Sequence, residues 1–163
     1  MRTFEETWYR GSGTLRLGAK VYHGEWAVWL EMARSLPGKE KGIPREGGHK
    51  YAWEHKVVFR LSREDLGKIG WALESAAGKP ETGKPASGEI LALIHQYQGR
   101  QKRLQIILAA NGVLFINAQE SGRKVEVSVP LAEDGIWKLR QCIRLAYEEA
   151  VCQMENGSAE PAI

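Results

Sequence analysis

Hydrophobic and polar positions along this chain fall into two periods, and the switch between them occurs twice. Leu15, Leu17, Ala19 and Val21 alternate with Arg16, Lys20 and Tyr22. Val57, Phe59 and Leu61 alternate with Lys56 and Arg60, and Val125, Val127 and Val129 fall opposite Lys124. A period of two predicts strands with one covered and one open face. Leu66, Ile69 and Leu73, and later Ile136, Leu139, Ile143, Ala146 and Ala150, recur at a spacing of three to four, which predicts amphipathic helices. Ser62 ahead of Arg63-Glu64-Asp65 reads as an N-cap with acids in the first turn, and Glu133-Asp134 serve the second helix in the same way.

The two helical segments end two similar halves, offset by 70 residues. Val57, Phe59 and Leu61 match Val127, Val129 and Leu131, while Leu66, Ile69 and Leu73 match Ile136, Leu139 and Ile143. Strands are predicted over 3–10, 14–22, 26–34 and 50–61, then 90–98, 103–110, 113–119 and 123–131. Gly11 to Gly13, His23-Gly24, Gly99-Arg100, Asn111-Gly112 and Ser121-Gly122 supply the turns. The fold class is therefore α+β: two ββββα repeats, with antiparallel sheets and the helices packed on one face. The expected organisation is a single domain of two pseudo-repeats, 3–75 and 90–152. A Gly/Pro-rich linker over 76–89 joins them, a Gly/Pro-rich insertion spans 35–48, and a disordered tail begins at about 156.

Composition narrows the function. Hydrophobic residues make up 43% and charged residues 26% of the 163, as in a soluble globular protein. No window approaches the roughly 18 apolar residues of a membrane span. MRTFEETWYRG has no apolar core of a signal peptide, so a cytoplasmic, nucleoid-associated protein is expected. Cys142 and Cys152 are the only cysteines, and about 15 Å of helix separates them, too far for a bridge. The four histidines are scattered, so no zinc site and no cofactor is expected.

The net charge is +3, unevenly spread. Arg34, Lys39, Lys41, Arg45, Lys50, Lys56 and Arg60 crowd residues 34–60. From Glu148 onward the chain has glutamates and no lysine or arginine. Five of six tryptophans lie in the first half, with Tyr9, Tyr22 and Tyr51. Cations that track a backbone and rings that stack on unpaired bases are the two requirements of single-strand binding. Strand parity sets Arg16, Lys20, Lys56, Arg60 and Lys124, with Lys50, on the outer face as phosphate contacts. Tyr9, Tyr22, Trp29 and Trp53 are the ring candidates. Trp71, inside the first helix, is expected to pack, and Trp53, which shares parity with Phe59, has burial as its alternative. The apolar stripe from Ile136 to Ala150 exceeds the needs of one helix and predicts oligomerisation through the helices.

Lys50 to Leu73, KYAWEHKVVFRLSREDLGKIGWAL, resembles the K-Y-D-W-x-x-K-x-x-F-x-L-S-x-x-E-x-G segment of the Whirly single-stranded-DNA-binding proteins. VWLEMARSLPG at 28–38 is similar to that family's apolar strand and following turn. Tyr9-Arg10-Gly11 with Ser12-Gly13-Thr14-Leu15 is similar to its Y-K-G-K-A-A-L motif. NGVLFIN and VSVPL match in pattern. Ala52 stands where the family has aspartate, and Ser12 replaces the motif's second lysine, while Arg10 keeps the first charge. The resemblance implies two ββββα repeats in a protomer of a homotetramer, and sequence-tolerant single-stranded DNA binding, with Arg10 added to the contacts. It also implies a bacterial or phage relative acting in DNA repair, recombination, replication or transcription. RNA is an alternative nucleic acid. An enzyme is not expected, since no nucleophile elbow, phosphate loop or metalloprotease motif is present. A sheet module for a protein or small ligand is the remaining alternative.

Overall fold

The computed structural model describes residues 1–36, 50–77 and 87–157. Eight strands and two helices follow the order ββββα twice: β1 Phe4–Tyr9, β2 Gly13–Tyr22, β3 Glu25–Arg34, β4 Val57–Leu61 and α1 Arg63–Ala77, then β5 Gly88–Tyr97, β6 Arg100–Leu108, β7 Leu114–Glu120, β8 Val125–Leu131 and α2 Glu133–Gly157. Each half forms a four-stranded antiparallel meander, β1-β2-β3-β4 and β5-β6-β7-β8. Much of the 35–48 insertion, the middle of the 76–89 linker and the tail from 158 lie outside the described residues. The described parts of the linker are helix at its start and strand at its end.

Local chemistry accounts for the element ends. Ser62 Oγ accepts the Asp65 N–H at 3.1 Å, and Asp65 Oδ2 accepts the Ser62 N–H at 3.0 Å, a reciprocal cap that starts α1. His23-Gly24 and Gln98-Gly99 both carry positive φ at two successive residues, the backbone of a type I′ hairpin turn. The second of these turns therefore sits one residue before the Gly99-Arg100 expected from sequence, and β6 begins at Arg100.

The covered face of each sheet packs on the other sheet as well as on the helices. Leu15, Leu17, Val28, Leu30, Val57 and Phe59 from the first half share one buried cluster with Leu104, Ile106, Leu114, Ile116, Val127 and Val129 from the second. Burial of so many large side chains, at about 1.5–3 kcal/mol each, binds the halves together. The seam is also pinned by polar contacts. Ser12 Oγ donates to the Ser128 carbonyl at 2.7 Å, Lys102 Nζ to the Val58 carbonyl at 2.8 Å, and Arg123 Nη2 to the Lys56 carbonyl at 2.8 Å. His95 Nε2 lies 3.0 Å from Asp65 Oδ2.

Three expectations need correction. The fourth strand does not run from Lys50. Tyr51 makes only an isolated bridge to Ser35, and Trp53–His55 form a 3-10 turn before β4 begins at Val57. In that turn the His55 N–H bonds the Ala52 carbonyl, so strand parity cannot be carried upstream of Val57. Trp71 does not pack: it is 71% exposed on α1. The stripe on α2 does not await a partner either, because Leu139, Ile143 and Ala146 are buried in the chain's own core and Ile136 and Ala150 pack against it.

Candidate nucleic-acid interface

The register of the first sheet fixes which side chains share its open face. Tyr9 faces Thr14 and Ala33; Thr7 faces Arg16, Glu31 and Val58; Glu5 faces Gly18, Trp29 and Arg60. Lys20 faces Ala27, and Tyr22 faces Glu25. Leu15, Leu17, Leu30, Met32 and Phe59 have the opposite parity and are buried, so the parity read in β2 and β4 holds. Gly18, Ala27 and Ala33 are small, leaving the longer side chains room to lie across the sheet.

At the centre of this face Arg16 and Lys56 converge on Glu31, and Trp53 stands against Arg16. Arg16 Nε donates to Glu31 Oε2 at 3.0 Å and its Nη2 pairs with the same oxygen, while Lys56 Nζ lies 3.3 Å from it. The Arg16 guanidinium carbon sits 4.3 Å from the centre of the Trp53 ring, a cation–π contact. Burial alone would raise the Glu31 carboxyl pKa; the Arg16 hydrogen bond and the charges of Arg16 and Lys56 outweigh it and hold the group below its ordinary 4.5. Trp53 is half-buried, standing with Arg16 instead of joining Phe59.

A second cluster lies one row away. Arg60 lies 5.7 Å from the Trp29 ring centre, and its Nη2 is 3.3 Å from Glu25 Oε2. Lys20 Nζ is 4.0 Å from Glu5. Tyr22 is 63% exposed at the end of β2. At the opposite end Tyr9, 59% exposed, packs on Tyr51 with ring centres 5.6 Å apart. Tyr51 Oη donates to the Arg10 carbonyl at 2.8 Å, and burial pushes its hydroxyl pKa up.

The face is therefore less basic than its lysines and arginines suggest. Four cations, Arg16, Lys20 and Arg60 on strands and Lys56 just before β4, meet three carboxylates, Glu5, Glu25 and Glu31. The signal was present in β3, where Glu25 and Glu31 share parity with Trp29, opposite Val28, Leu30 and Met32. A carboxylate in the middle of a half-covered strand needs a cation beside it.

The remaining predicted residues stand apart. Arg10 serves the seam: its Nε donates to the Pro130 carbonyl at 3.2 Å and Nη1 to the Tyr9 carbonyl at 2.8 Å. Lys50 is half-buried beside the 3-10 turn, its carbonyl accepting the Leu36 N–H. Lys124 is not on β8, which starts at Val125, but in the preceding turn with φ +53°. A face missed from sequence is the open side of the second sheet. By register it carries Gln101, Arg103, Gln105, Asn117, Gln119 and Phe115. It is rich in amides, and Ser128 Oγ donates to Asn117 Oδ1 at 2.6 Å. Among the described residues no group of His, Cys, Asp and Glu could hold a metal ion, and no helix is long and apolar enough to cross a membrane.

Comparison with solved structures settles the architecture. The crystal structure of WHY1 from Arabidopsis thaliana superposes at a TM-score of 0.63, covering 100% of this chain and 97% of that one at 13% identity. The chain has a Whirly-like fold. WHY3 from the same plant agrees at a TM-score of 0.59, with 14% identity over 96% of this chain and 93% of its own. No family model matches the sequence, and no curated protein matches it. The Whirly-like likeness is thus carried by the backbone, two ββββα repeats with their open sheet faces, and by the short Lys50–Leu73 segment.

Proposed function

We propose that this chain is a non-enzymatic single-stranded-DNA-binding protein, largely indifferent to sequence, serving replication, repair, recombination or transcription. One observation carries the reading: an open sheet face on which Trp53, Trp29, Tyr9 and Tyr22 stand beside Arg16, Arg60 and Lys56, with Lys20 near Tyr22. Stacking on such rings contributes about 1–3 kcal/mol per base and is available only from unpaired bases. The Whirly-like fold and the resemblance of the Lys50–Leu73 segment support the same reading. Because Arg16, Lys20, Lys56 and Arg60 each have a carboxylate partner, rings and hydrogen bonds dominate on this face, and these four cations add little to the dependence on salt.

Tryptophan fluorescence during titration with oligo-dT, duplex DNA and RNA at two salt concentrations tests this. Quenching by oligo-dT with little response to duplex supports it; equal affinity for duplex refutes stacking. A preference for RNA oligomers would keep the fold and change the partner. A homo-oligomer, with four protomers favoured, belongs to the same proposal. Its contact surface is the helical side, where Trp71, Trp137 and Tyr147 are exposed, in place of the buried stripe of α2.

A further inference from the structure

Arg16, Lys20, Lys56 and Arg60 on the open face are all engaged, so a phosphate there must compete with Glu5, Glu25 or Glu31. Two other cations, Arg34 and Lys124, have no such partner among the described residues. Where the end of β3 and the 3-10 turn meet the β7–β8 turn, Arg34, His55, Arg123 and Lys124 line a cleft of about 420 Å³ with Val125 and Glu126. Two acids lie nearby: the buried Glu120 accepts from Arg123 Nε at 2.6 Å, and Glu126, on the cleft wall, keeps its charge while accepting from Gln119 Nε2 at 3.1 Å.

Two further features describe the cleft. Lys124 has φ +53°, a left-handed backbone that a lysine rarely adopts and a glycine adopts freely, although Gly122 lies only two residues away. The same φ occurs at His23 and Gln98 in two other hairpin turns, so it places Lys124 in the β7–β8 turn. The cleft also adjoins the 3-10 turn that carries Trp53, since His55 lines it. His55 closes the turn that starts at Trp53, and Arg123 Nη2 holds that turn by the Lys56 carbonyl at 2.8 Å.

We infer that this cleft at the seam is the main phosphate-binding site of the chain, taking phosphodiester groups of a strand whose bases stack on the Trp53 side of the sheet. The inference rests on the single-strand reading above and adds where the backbone runs. It divides the work: rings on the sheet hold bases, and Arg34 and Lys124 at the seam hold charge. The Arg123 guanidinium, anchored on Glu120, fixes the cleft wall.

The test compares wild type with Arg34→Gln/Lys124→Gln, and with a control, Arg2→Gln/Lys138→Gln, in which Arg2 stands at the N-terminus and Lys138 pairs with Glu6. Oligo-dT affinity is measured over a salt series, with circular dichroism to confirm folding. Loss of two single-strand phosphate contacts should lower the slope of log K against log[salt] by about 1.4 and weaken binding about tenfold at low salt. Quenching at saturation should not change, because the rings still stack, and the control should match wild type. Lys124→Gly should weaken binding while leaving the melting temperature equal or higher, since glycine suits that φ. A wild-type slope in the cleft variant overturns the inference and leaves single-strand binding standing, as does an equal loss in the control. A wild type that oligo-dT does not quench overturns both.

Discussion

Glu31→Gln separates what stabilises the open face from what lets it bind. Glu31 is 8% exposed and receives Arg16 and Lys56 on one carboxylate oxygen. A hydrogen bond to a charged group contributes about 1.5–3 kcal/mol when well buried, and both cations here are partly solvated, which screens the pair. Glutamine keeps one acceptor oxygen, so the expected loss is about 1–2 kcal/mol, or roughly 2–8 °C in melting temperature for a chain of this size. Binding should move the other way. With the carboxylate gone, the outer face gains one unit of charge and Arg16 is freer to meet a phosphate. One new contact steepens the salt slope by about 0.7 for single strands and about 0.9 for duplex. Oligo-dT binding therefore tightens at low salt, duplex binding tightens more, and the preference for single strands shrinks. In wild type the carboxyl pKa lies below 4.5, so its stabilisation is complete above that pH and is lost as the pH falls through the folded-state value. The melting gap between wild type and variant should be constant from pH 8 to 6 and close below about 4.5. Thermal melts across pH and oligo-dT and duplex titrations measure both arms. A variant that melts lower yet binds both ligands with wild-type affinity and slope would refute the idea that Glu31 restrains the cations.

Trp53→Ala should weaken oligo-dT binding by about 1–3 kcal/mol, read by anisotropy of a labelled oligonucleotide, with a smaller effect on duplex. Arg60→Glu faces Glu25 and should weaken oligo-dT binding with the fold intact by circular dichroism; unchanged affinity would move the bound strand to another face. Gly13→Ala should destabilise by about 1–3 kcal/mol in urea unfolding, because a Cβ there meets the Ala33 carbonyl and a Val127 methyl at 3.0 Å where β2 crosses β8. Trp71→Glu with Trp137→Glu should lower the assembly state in sedimentation while leaving the monomer fold unchanged, since both side chains are exposed, at 71% and 61%.

The repeat was legible because its positions are hydrophobic for a local reason. Phe59 and Val129, or Ile69 and Leu139, each face the core from a regular element, so period alone finds them. Reasoning by period failed where the backbone leaves that regularity. Between Tyr51 and Lys56 a 3-10 turn replaces the strand, and the parity that would have buried Trp53 beside Phe59 no longer applies. At Lys124 a residue with positive φ precedes β8, so a lysine assigned to the sheet belongs to a turn. The helices failed for a different reason: amphipathic spacing tells which stripe is apolar, but not whether it is the chain's own second sheet or a partner that covers it. Leu139, Ile143 and Ala146 fill the joint core, and the aromatic side chains left outside, Trp71 and Trp137, lie off that stripe. The electrostatics of the open face were hidden by counting cations alone. Glu31 and Glu25 lie on β3; register sets Glu31 opposite Arg16, and the long Arg60 side chain, which faces Trp29, reaches Glu25 along the strand. That pairing changes the physical account of binding. A bare basic sheet would attract any polyanion and prefer the denser charge of duplex, whereas a sheet whose cations are held by carboxylates selects the ligand that offers unpaired rings.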